Sequence, residues 1–369
     1  MIMKFSEELL THITGNNLVN ILGEIRNKHL GIWGIGQAGR LIYASLKKNG
    51  IVCSYFIDSN PQNTGTECCG VPVCSKDSVQ QDDVIVVAAN VKYGIHEQLE
   101  KMGIRYVYID PISLLFYNKE DPYYVKNELI KHQCEIEQVY SMLTDPVSKK
   151  VYYNVLLHRA IHDLSLIWEI YDENQYFGNR IIQTVSGNFV DCGAYQGDTL
   201  TQFMKQIGTR QYKYFAFEAD KENYARLTEL YKKNRWNATA YNLGVWDRED
   251  CLYFEQDVLS DAAVGGKIVK STDEGITMVE ANSLDQVLKN QKIDFIKMDI
   301  EGAELKALEG ARGIIERDCP QLAISAYHQL SHLWEVPLLI NKMEPAYHLY
   351  FAHHMWNQAD TVCYALIKK

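Results

Sequence analysis

Short apolar runs alternate with helical patterns over the first third of the chain. The runs at residues 30–33, 53–57, 84–89 and 106–109 are typical of buried strands, because a strand in a parallel sheet is covered on both faces. Apolar residues at helical spacing occupy 7–27, before the first run, and 40–48, between the first and second runs. This alternation predicts a doubly wound parallel sheet in a domain over residues 1–118.

The next 60 residues have a different pattern. Apolar positions recur at helical spacing over 127–143 and 148–171, and no run there indicates a strand. Asp145-Pro146 separates the two helical stretches. We therefore expect a helical connector over residues 119–180.

Alternating strands and helices return after the connector and predict a second doubly wound sheet over residues 181–369. The candidate strands are 188–191, 214–217, 239–241, 294–298, 322–325, 348–351 and 361–366. Between residues 251 and 280 the pattern changes to short strands and glycine-containing turns, which indicates an inserted hairpin or lid. The sequence thus predicts an α/β protein with two doubly wound sheets joined by helices.

Composition narrows the class of protein. A net charge of -10 without a Lys/Arg-rich run excludes nucleic acid as the main partner. We expect neither a membrane span nor a secretory signal, since no sufficiently long apolar stretch occurs. The nine cysteines form no paired zinc pattern, and Cys68, Cys69 and Cys74 are best explained as free thiols of a cytoplasmic protein.

The segment from Phe189 to Thr199 carries the strongest chemical signal. Its glycines allow close approach of a ligand, and the helix that follows offers free N–H groups to a carboxylate. Glu218 ends the next strand, where an acidic side chain can accept hydrogen bonds from a ribose. These features fit S-adenosylmethionine better than NAD, whose fingerprint has three closely spaced glycines. The predicted cofactor residues are Asp191, Gly193, Ala194, Gly197, Asp198, Thr199, Glu218, Ala219, Gly244, Val245 and Asp299.

A second strand, within residues 294–298, delivers carboxylates to the same edge of the sheet. Asp299 is expected beside the sulfonium or the acceptor hydroxyl, and Glu301 follows at the start of the next helix. His328 follows the strand at 322–325, can titrate near neutral pH and is the predicted general base. We expect catalysis without a metal ion, although Asp299, Glu301 and a histidine could hold a divalent cation.

Several ordered blocks together resemble the FkbM-type methyltransferases. They are VDCGAYQGDT, FEAD, the triplet at 283–285 and IKMDIEGAELKALEGA, and the resemblance covers about residues 175–369. It implies a class I methyltransferase fold for residues 181–369, S-adenosylmethionine as methyl donor and O-methylation, often of sugars or glycans. The implied partner is a small-molecule or glycan acceptor.

The first domain carries a separate nucleotide-type motif. Gly34, Gly36 and Gly39 form a GxGxxG after a strand, and Asp58 ends the next strand, where it could bind a ribose. The stretch YFIDSNPQNTGTECCGVPV resembles nucleotide-binding domains of sugar-modifying enzymes, which implies binding of a nucleotide or nucleotide sugar. The alternative that this Rossmann-like domain binds no ligand stays open.

Two other functions remain open at the level of sequence. One is an NAD(P)-dependent oxidoreductase that acts on a nucleotide sugar and is centred on the first motif. The other is a non-catalytic nucleotide-binding protein. Neither accounts for the order of motifs after residue 175.

Overall fold

The computed structural model describes residues 4–90, 93–115, 117, 121, 123–256, 266–269 and 276–367. Within these residues no helix is both long and apolar enough to cross a bilayer. The predicted boundary at 118/119 lies outside the described residues, so it stays a prediction.

The first sheet has six strands, and they follow the predicted alternation. Its elements in chain order are α1 (Phe5–His12), α2 (Asn17–Ile25), β1 (Leu30–Trp33), α3 (Gln37–Lys48), β2 (Tyr55–Ile57), β3 (Glu67–Cys68), β4 (Val71–Cys74), β5 (Val84–Val87), α4 (Ile95–Met102), β6 (Arg105–Tyr108) and α5 (Pro111–Leu115). The strand order is β3-β4-β2-β1-β5-β6, with only the β3–β4 pair antiparallel. The doubly wound sheet is therefore confirmed, with a small β3–β4 hairpin added at its edge.

One predicted helix is wrong in extent. The single helix expected over 7–27 is two helices, because the Asn16 side chain accepts hydrogen bonds from the backbone N–H groups of Leu18 and Val19 and starts α2. Helix α1 also packs away from the first sheet. The ring of Phe5 stacks on Tyr140 of the connector at 3.7 Å between centroids.

The connector is helical, as predicted, with α6 (Tyr124–Lys131), α7 (Gln133–Met142), α8 (Pro146–Ile161) and α9 (Leu164–Trp168). Pro146 occupies the first turn of α8, and the Asp145 side chain accepts from the Ser148 N–H at 2.9 Å. The predicted break at Asp145-Pro146 is thus a helix start.

The last part of the chain forms two sheets. Its strands are β7 (Phe189–Cys192), β8 (Tyr214–Phe217), β9 (Ala238–Tyr241), β10 (Gly244–Val245), β11 (Asp250–Gln256), β12 (Gly266–Val269), β13 (Ile276–Asn282), β14 (Phe295–Met298), β15 (Gln321–Ser325), β16 (His348–His353) and β17 (Thr361–Leu366). Its helices are α10 (Asp198–Ile207), α11 (Lys221–Asn234), α12 (Leu284–Val287), α13 (Glu304–Glu309), α14 (Arg312–Asp318) and α15 (His332–Met343). The large sheet has the order β16-β17-β15-β14-β7-β8-β9, and β17 is antiparallel to both of its neighbours.

The inserted segment predicted over 251–280 contributes a four-stranded sheet of order β10-β13-β11-β12. Strands β11 and β13 pair antiparallel from Asp250↔Ala281 to Glu255↔Ile276, which confirms a hairpin-type insertion. Residues 257–265 and 270–275 of this segment lie outside the described residues, so a lid role stays a prediction.

The register of the large sheet brings its functional loops together. Cys192 lies opposite Met298 of β14 on one side and Phe217 of β8 on the other. The segments that begin at Gly193, Glu218 and Asp299 therefore leave the sheet side by side at the carboxyl ends of parallel strands. Ligands bind at this edge in doubly wound sheets.

Candidate functional site

The turn after β7 is held tightly between its two neighbours. The N–H groups of Gly193 and Ala194 both donate to the Phe217 carbonyl at 3.0 Å. Gly193 has a φ of 79°, and a Cβ there would lie 1.9 Å from the Asp299 carbonyl oxygen. Only glycine fits this turn, because the two backbones approach too closely for a side chain.

Asp191 lies beneath this turn and is completely buried. Its Oδ1 is 3.0 Å from Nζ of Lys297, and its Oδ2 accepts a hydrogen bond from the Tyr214 hydroxyl at 2.5 Å. The Lys297 ammonium also donates to the Gly193 carbonyl at 2.7 Å. Burial raises the pKa of Asp191, while the pKa of Lys297 rises because the attraction of Asp191 exceeds the effect of burial. Asp191 therefore supports the turn from inside the protein.

Glu218 is placed where a ribose is expected. Its Oε2 accepts from the Tyr195 N–H at 2.7 Å and its Oε1 accepts from the Asp220 N–H at 2.9 Å. Each oxygen keeps a lone pair for a further donor. Burial raises the pKa of Glu218 to about 7, although both backbone hydrogen bonds oppose the change.

The other predicted cofactor residues form two groups along the chain, one in the turn and the start of α10 and one near Asn242. Ala194 and Thr199 are buried, whereas Asp198 is exposed at the start of α10. Asn242, before β10, donates from its side chain to the carbonyls of Glu218 and Ala219 at 2.9 and 3.0 Å. The turn, the Glu218 loop and the Asn242 loop are thus joined. The predicted residues that complete these groups are Gly197, Gly244 and Val245.

Asp299 lies next to the Gly193 turn and is partly exposed. The hydroxyl of Tyr176 donates to its Oδ2 at 3.2 Å, and the hydroxyl of Tyr327 donates to its Oδ1 at 3.3 Å. These two donors fix the orientation of the carboxylate. Neither tyrosine was predicted as a site residue, although Tyr327 immediately precedes His328, because no motif assigns a role to either hydroxyl.

The imidazole of His328 lies between the carboxylates of three acidic residues. Its Nδ1 is 2.9 Å from Glu304 Oε1, and its Nε2 is 3.3 Å from Glu301 Oε2 and 3.5 Å from Asp299 Oδ1. Although burial acts in the opposite direction, the charges of Glu304 and its neighbours raise the pKa of His328 well above its usual range. A protonated imidazole cannot accept a proton. These surroundings favour the protonated imidazole, and the general-base role of His328 stays a prediction.

Glu304 is fully buried and connects this cluster to α15. Its Oε1 accepts from the Ile300 N–H at 2.9 Å, and its Oε2 lies 3.3 Å from Nδ1 of His332. Burial alone would raise the pKa of Glu304, but His328 and His332 lower it. Glu304 is thus a charged member of the site, as well as the first residue of α13.

Asp360 brings a further carboxyl group to Asp299 from the loop before β17. Burial and the charge of Asp299 raise the pKa of Asp360 to about 7. The loop is attached to the first domain, because the Gln358 N–H donates to Asp110 Oδ2 at 2.9 Å and Ser113 Oγ donates to the Gln358 side chain at 3.0 Å. Nothing in the spacing of the sequence indicates this approach.

The motif of the first domain is arranged differently. A Cβ on Gly39 would lie 1.8 Å from the Gly34 carbonyl oxygen, so helix–strand packing accounts for the glycine there. Gly36 has open space around it. Asp58 Oδ1 accepts from the Asn60 N–H at 2.8 Å and from the Asn63 side chain at 2.9 Å. One oxygen of Asp58 therefore serves its own loop, and ligand binding at Gly34, Gly36, Gly39 and Asp58 stays a prediction.

Similarity to known proteins agrees with the chemistry of the second site. Residues 191–357 match the model of the Methyltransferase FkbM domain. The crystal structure of Methyltransferase FkbM from Methylobacillus flagellatus KT superposes with a TM-score of 0.73 and 20% identity, and covers 97% of this chain and 98% of that chain. No curated protein matches.

Fibrillarin from Aeropyrum pernix, solved with S-adenosyl-L-methionine, shows a far weaker likeness. Its TM-score is 0.31 at 11% identity, over 51% of this chain and 70% of that chain. The Methylobacillus structure supports the fold of nearly the whole chain, and the family model identifies the domain that contains Glu218, Asp299 and His328. Residues 191–357 of this protein are thus similar to the Methyltransferase FkbM domain.

Proposed function

We propose that this protein transfers a methyl group from S-adenosylmethionine to a hydroxyl group of a sugar in a glycan or its precursor. The observation that carries the proposal is the arrangement of Glu218 and Asp299 on either side of the Gly193 turn. On this proposal the Glu218 carboxylate binds the ribose of the cofactor, and the Asp299 carboxylate meets the acceptor.

The residues present fit S-adenosylmethionine. Both Glu218 oxygens are oriented by backbone N–H groups and retain lone pairs for two ribose hydroxyls. Helix α10 starts just after the turn, so its free N–H groups favour the carboxylate of the amino-acid part. When bound, the cofactor supplies an electrophilic methyl group on a sulfonium.

Asp299 is the group we propose to orient the acceptor hydroxyl. Its oxygens are held by Tyr176 and Tyr327, and it borders the turn that faces the cofactor. Alignment of the hydroxyl with the methyl group supplies a large part of the rate acceleration in a displacement of this kind. Glu301, whose side chain is exposed, extends the site and binds another acceptor hydroxyl.

The acceptor class rests on the family resemblance and on the chemistry of the cluster. Carboxylates such as Asp299 and Glu301 are suitable partners for the several hydroxyl groups of a sugar. The first domain is a candidate for binding the nucleotide part of an activated sugar, although its glycines are explained without a ligand.

The test is a transfer assay with methyl-labelled S-adenosylmethionine and a panel of free and nucleotide-linked sugars. Asp299→Asn is expected to lower the transfer rate by about 10² to 10⁴ while S-adenosylhomocysteine still binds. The matched control is Asp82→Asn, which changes an exposed carboxylate in the first domain and should leave the rate unchanged.

Oxidation of the same sugars with NAD or NADP, followed by absorbance, is the opposing assay. Transfer without oxidation supports the proposal. Oxidation without transfer would replace it with the oxidoreductase alternative, and cofactor binding without either reaction would favour a non-catalytic protein.

A further inference from the structure

We propose that Asp299, Glu304 and His328 form a binding site for a divalent metal ion. Each of these residues offers one donor atom, and the three atoms all lie within 4.8 Å of one another. A role of the ion in methyl transfer rests on the proposed function, whereas binding of the ion to these residues does not.

The distances fit an ion among these atoms. Metal–ligand bonds of about 2.1 Å place neighbouring donor atoms about 3 to 4 Å apart. An imidazole binds an ion through only one of its nitrogens, and one nitrogen of His328, one oxygen of Glu304 and one oxygen of Asp299 lie within 4.8 Å of one another. His328 Nδ1 is 2.9 Å from Glu304 Oε1, and Nε2 is 3.3 Å from Glu301 Oε2, a carboxylate that can orient the ring.

The histidines provide an independent observation. The His328 side chain is only 9% exposed, and neither ring nitrogen makes an aligned hydrogen bond to any described residue. The same holds for both nitrogens of buried His332 and for Glu304 Oε2. The histidine nitrogens and the carboxylate oxygens are therefore close together, although no N–H is directed at an oxygen. Unsatisfied buried polar atoms that converge in this way are typical of a missing ligand.

The charge of the cluster favours a cation. Among the described residues, the carboxyl groups of Asp299, Glu301, Glu304 and Asp360 meet here, and the imidazoles of His328 and His332 are the basic groups next to Glu304. The ammonium of Lys297 is paired with Asp191 at 3.0 Å. His332 Nδ1 lies 3.3 Å from Glu304 Oε2, the oxygen that is not next to His328.

Mixed carboxylate and imidazole donors suit Mn²⁺ and Zn²⁺ better than Ca²⁺. An ion at this position would contact an acceptor hydroxyl beside Asp299 and lower the pKa of that hydroxyl. A vicinal diol is the acceptor that such an ion would hold with two oxygens.

Binding is tested with the full chain after dialysis against a chelator. Mn²⁺ is titrated and its free concentration is followed by electron paramagnetic resonance, with Zn²⁺ as competitor. We expect about one tightly bound ion per chain. His328→Ala and Asp299→Asn should each lower the affinity at least about tenfold. Glu309→Gln, an exposed carboxylate on the same helix as Glu304, should bind as the unmodified protein does.

Circular dichroism of each variant checks that it folds, and an increase of the wild-type thermal midpoint on addition of Mn²⁺ tests binding without any variant. The proposal is overturned if the wild-type chain binds neither ion, or if both site variants bind as tightly as Glu309→Gln. Titration of the same samples with S-adenosylhomocysteine separates this result from the methyltransferase proposal. Metal binding without cofactor binding would support the metal site and contradict the function.

Discussion

The two doubly wound sheets of this protein carry similar motifs but differ in what lies beneath and beside them. In the first sheet, the strands that flank the GxGxxG turn are wholly apolar, and Asp58 is turned toward its own loop. In the second, an ion pair is buried under the turn, and five ionisable side chains meet next to it. A glycine motif therefore indicates a fold, whereas the charged groups around it distinguish a site from a scaffold.

The largest expected effect concerns the buried pair. Lys297→Met leaves the Asp191 carboxylate without its cation in a fully buried position, which should cost about 3–5 kcal/mol of unfolding free energy. Unfolding in urea measures the change. Lys306→Met, which removes an exposed ammonium, should alter the stability little. Equal effects of the two substitutions would mean that the buried pair does not support the turn.

Substitution of a glycine by alanine should destabilise the protein in one of the two turns and have little effect in the other. Gly193→Ala combines a positive φ with a clash against the Asp299 carbonyl, and it should destabilise the protein by about 1–3 kcal/mol or more. Gly36→Ala has open space and ordinary backbone angles, so its effect should lie within about 0.5 kcal/mol. Thermal unfolding of both variants tests the contrast. A destabilising Gly36→Ala would show that the two turns are under the same constraint.

Binding of S-adenosylhomocysteine should depend on pH through Glu218. Its raised pKa, about 7, means that the carboxyl gains a proton as the pH falls below 7, while ribose hydroxyls donate to the ionised form. The affinity should therefore decrease by up to about tenfold between pH 8 and pH 6. Calorimetric titration at both values measures this. Glu218→Gln should bind weakly at both, without the pH dependence.

The ionisation of Glu218 also affects folding. Because its folded-state pKa is raised, its contribution to stability is present at low pH and is lost as the pH rises through about 7. Stability thus decreases as the pH rises from about 4.5 to 7, whereas the affinity increases as the pH rises through 7. This opposition separates a local effect on Glu218 from general acid unfolding.

The smallest effect tests the contact between the two regions. Ser113→Ala removes a buried hydrogen bond to Gln358, on the loop that carries Asp360, and should cost about 1 kcal/mol. Thermal unfolding measures the loss. Ser165→Ala removes an exposed hydroxyl that bonds only within its own helix start and serves as the control. If Ser113→Ala is no more destabilising than Ser165→Ala, the loop is not held by the first domain.

Much of the fold could be predicted because buried parallel strands are short, apolar and followed by helical patterns. The break between α1 and α2 was missed, since Asn16 interrupts a continuous apolar stripe with a single capping side chain. The β3–β4 hairpin was missed because its strands have only two and four residues. Strands this short give too few positions for alternation to be visible.

The candidate site was predicted where residues belong to one motif and missed where they come from distant segments. Glu218 and Asp299 follow strands and could be placed at one edge. Lys297 interrupts an apolar strand, and this signal could have revealed the buried pair. Tyr176, His332 and Asp360 reach the site only through tertiary packing, so the spacing of the sequence contains no trace of them.

The most direct test of the methyltransferase proposal is calorimetric titration with S-adenosylhomocysteine of the wild-type chain, Glu218→Gln and Asp58→Asn. The account predicts binding of one ligand per chain, lost in Glu218→Gln and unchanged in Asp58→Asn. Absence of binding to the wild type, or a loss in Asp58→Asn with Glu218→Gln unaffected, would contradict it and move the nucleotide site to the first domain.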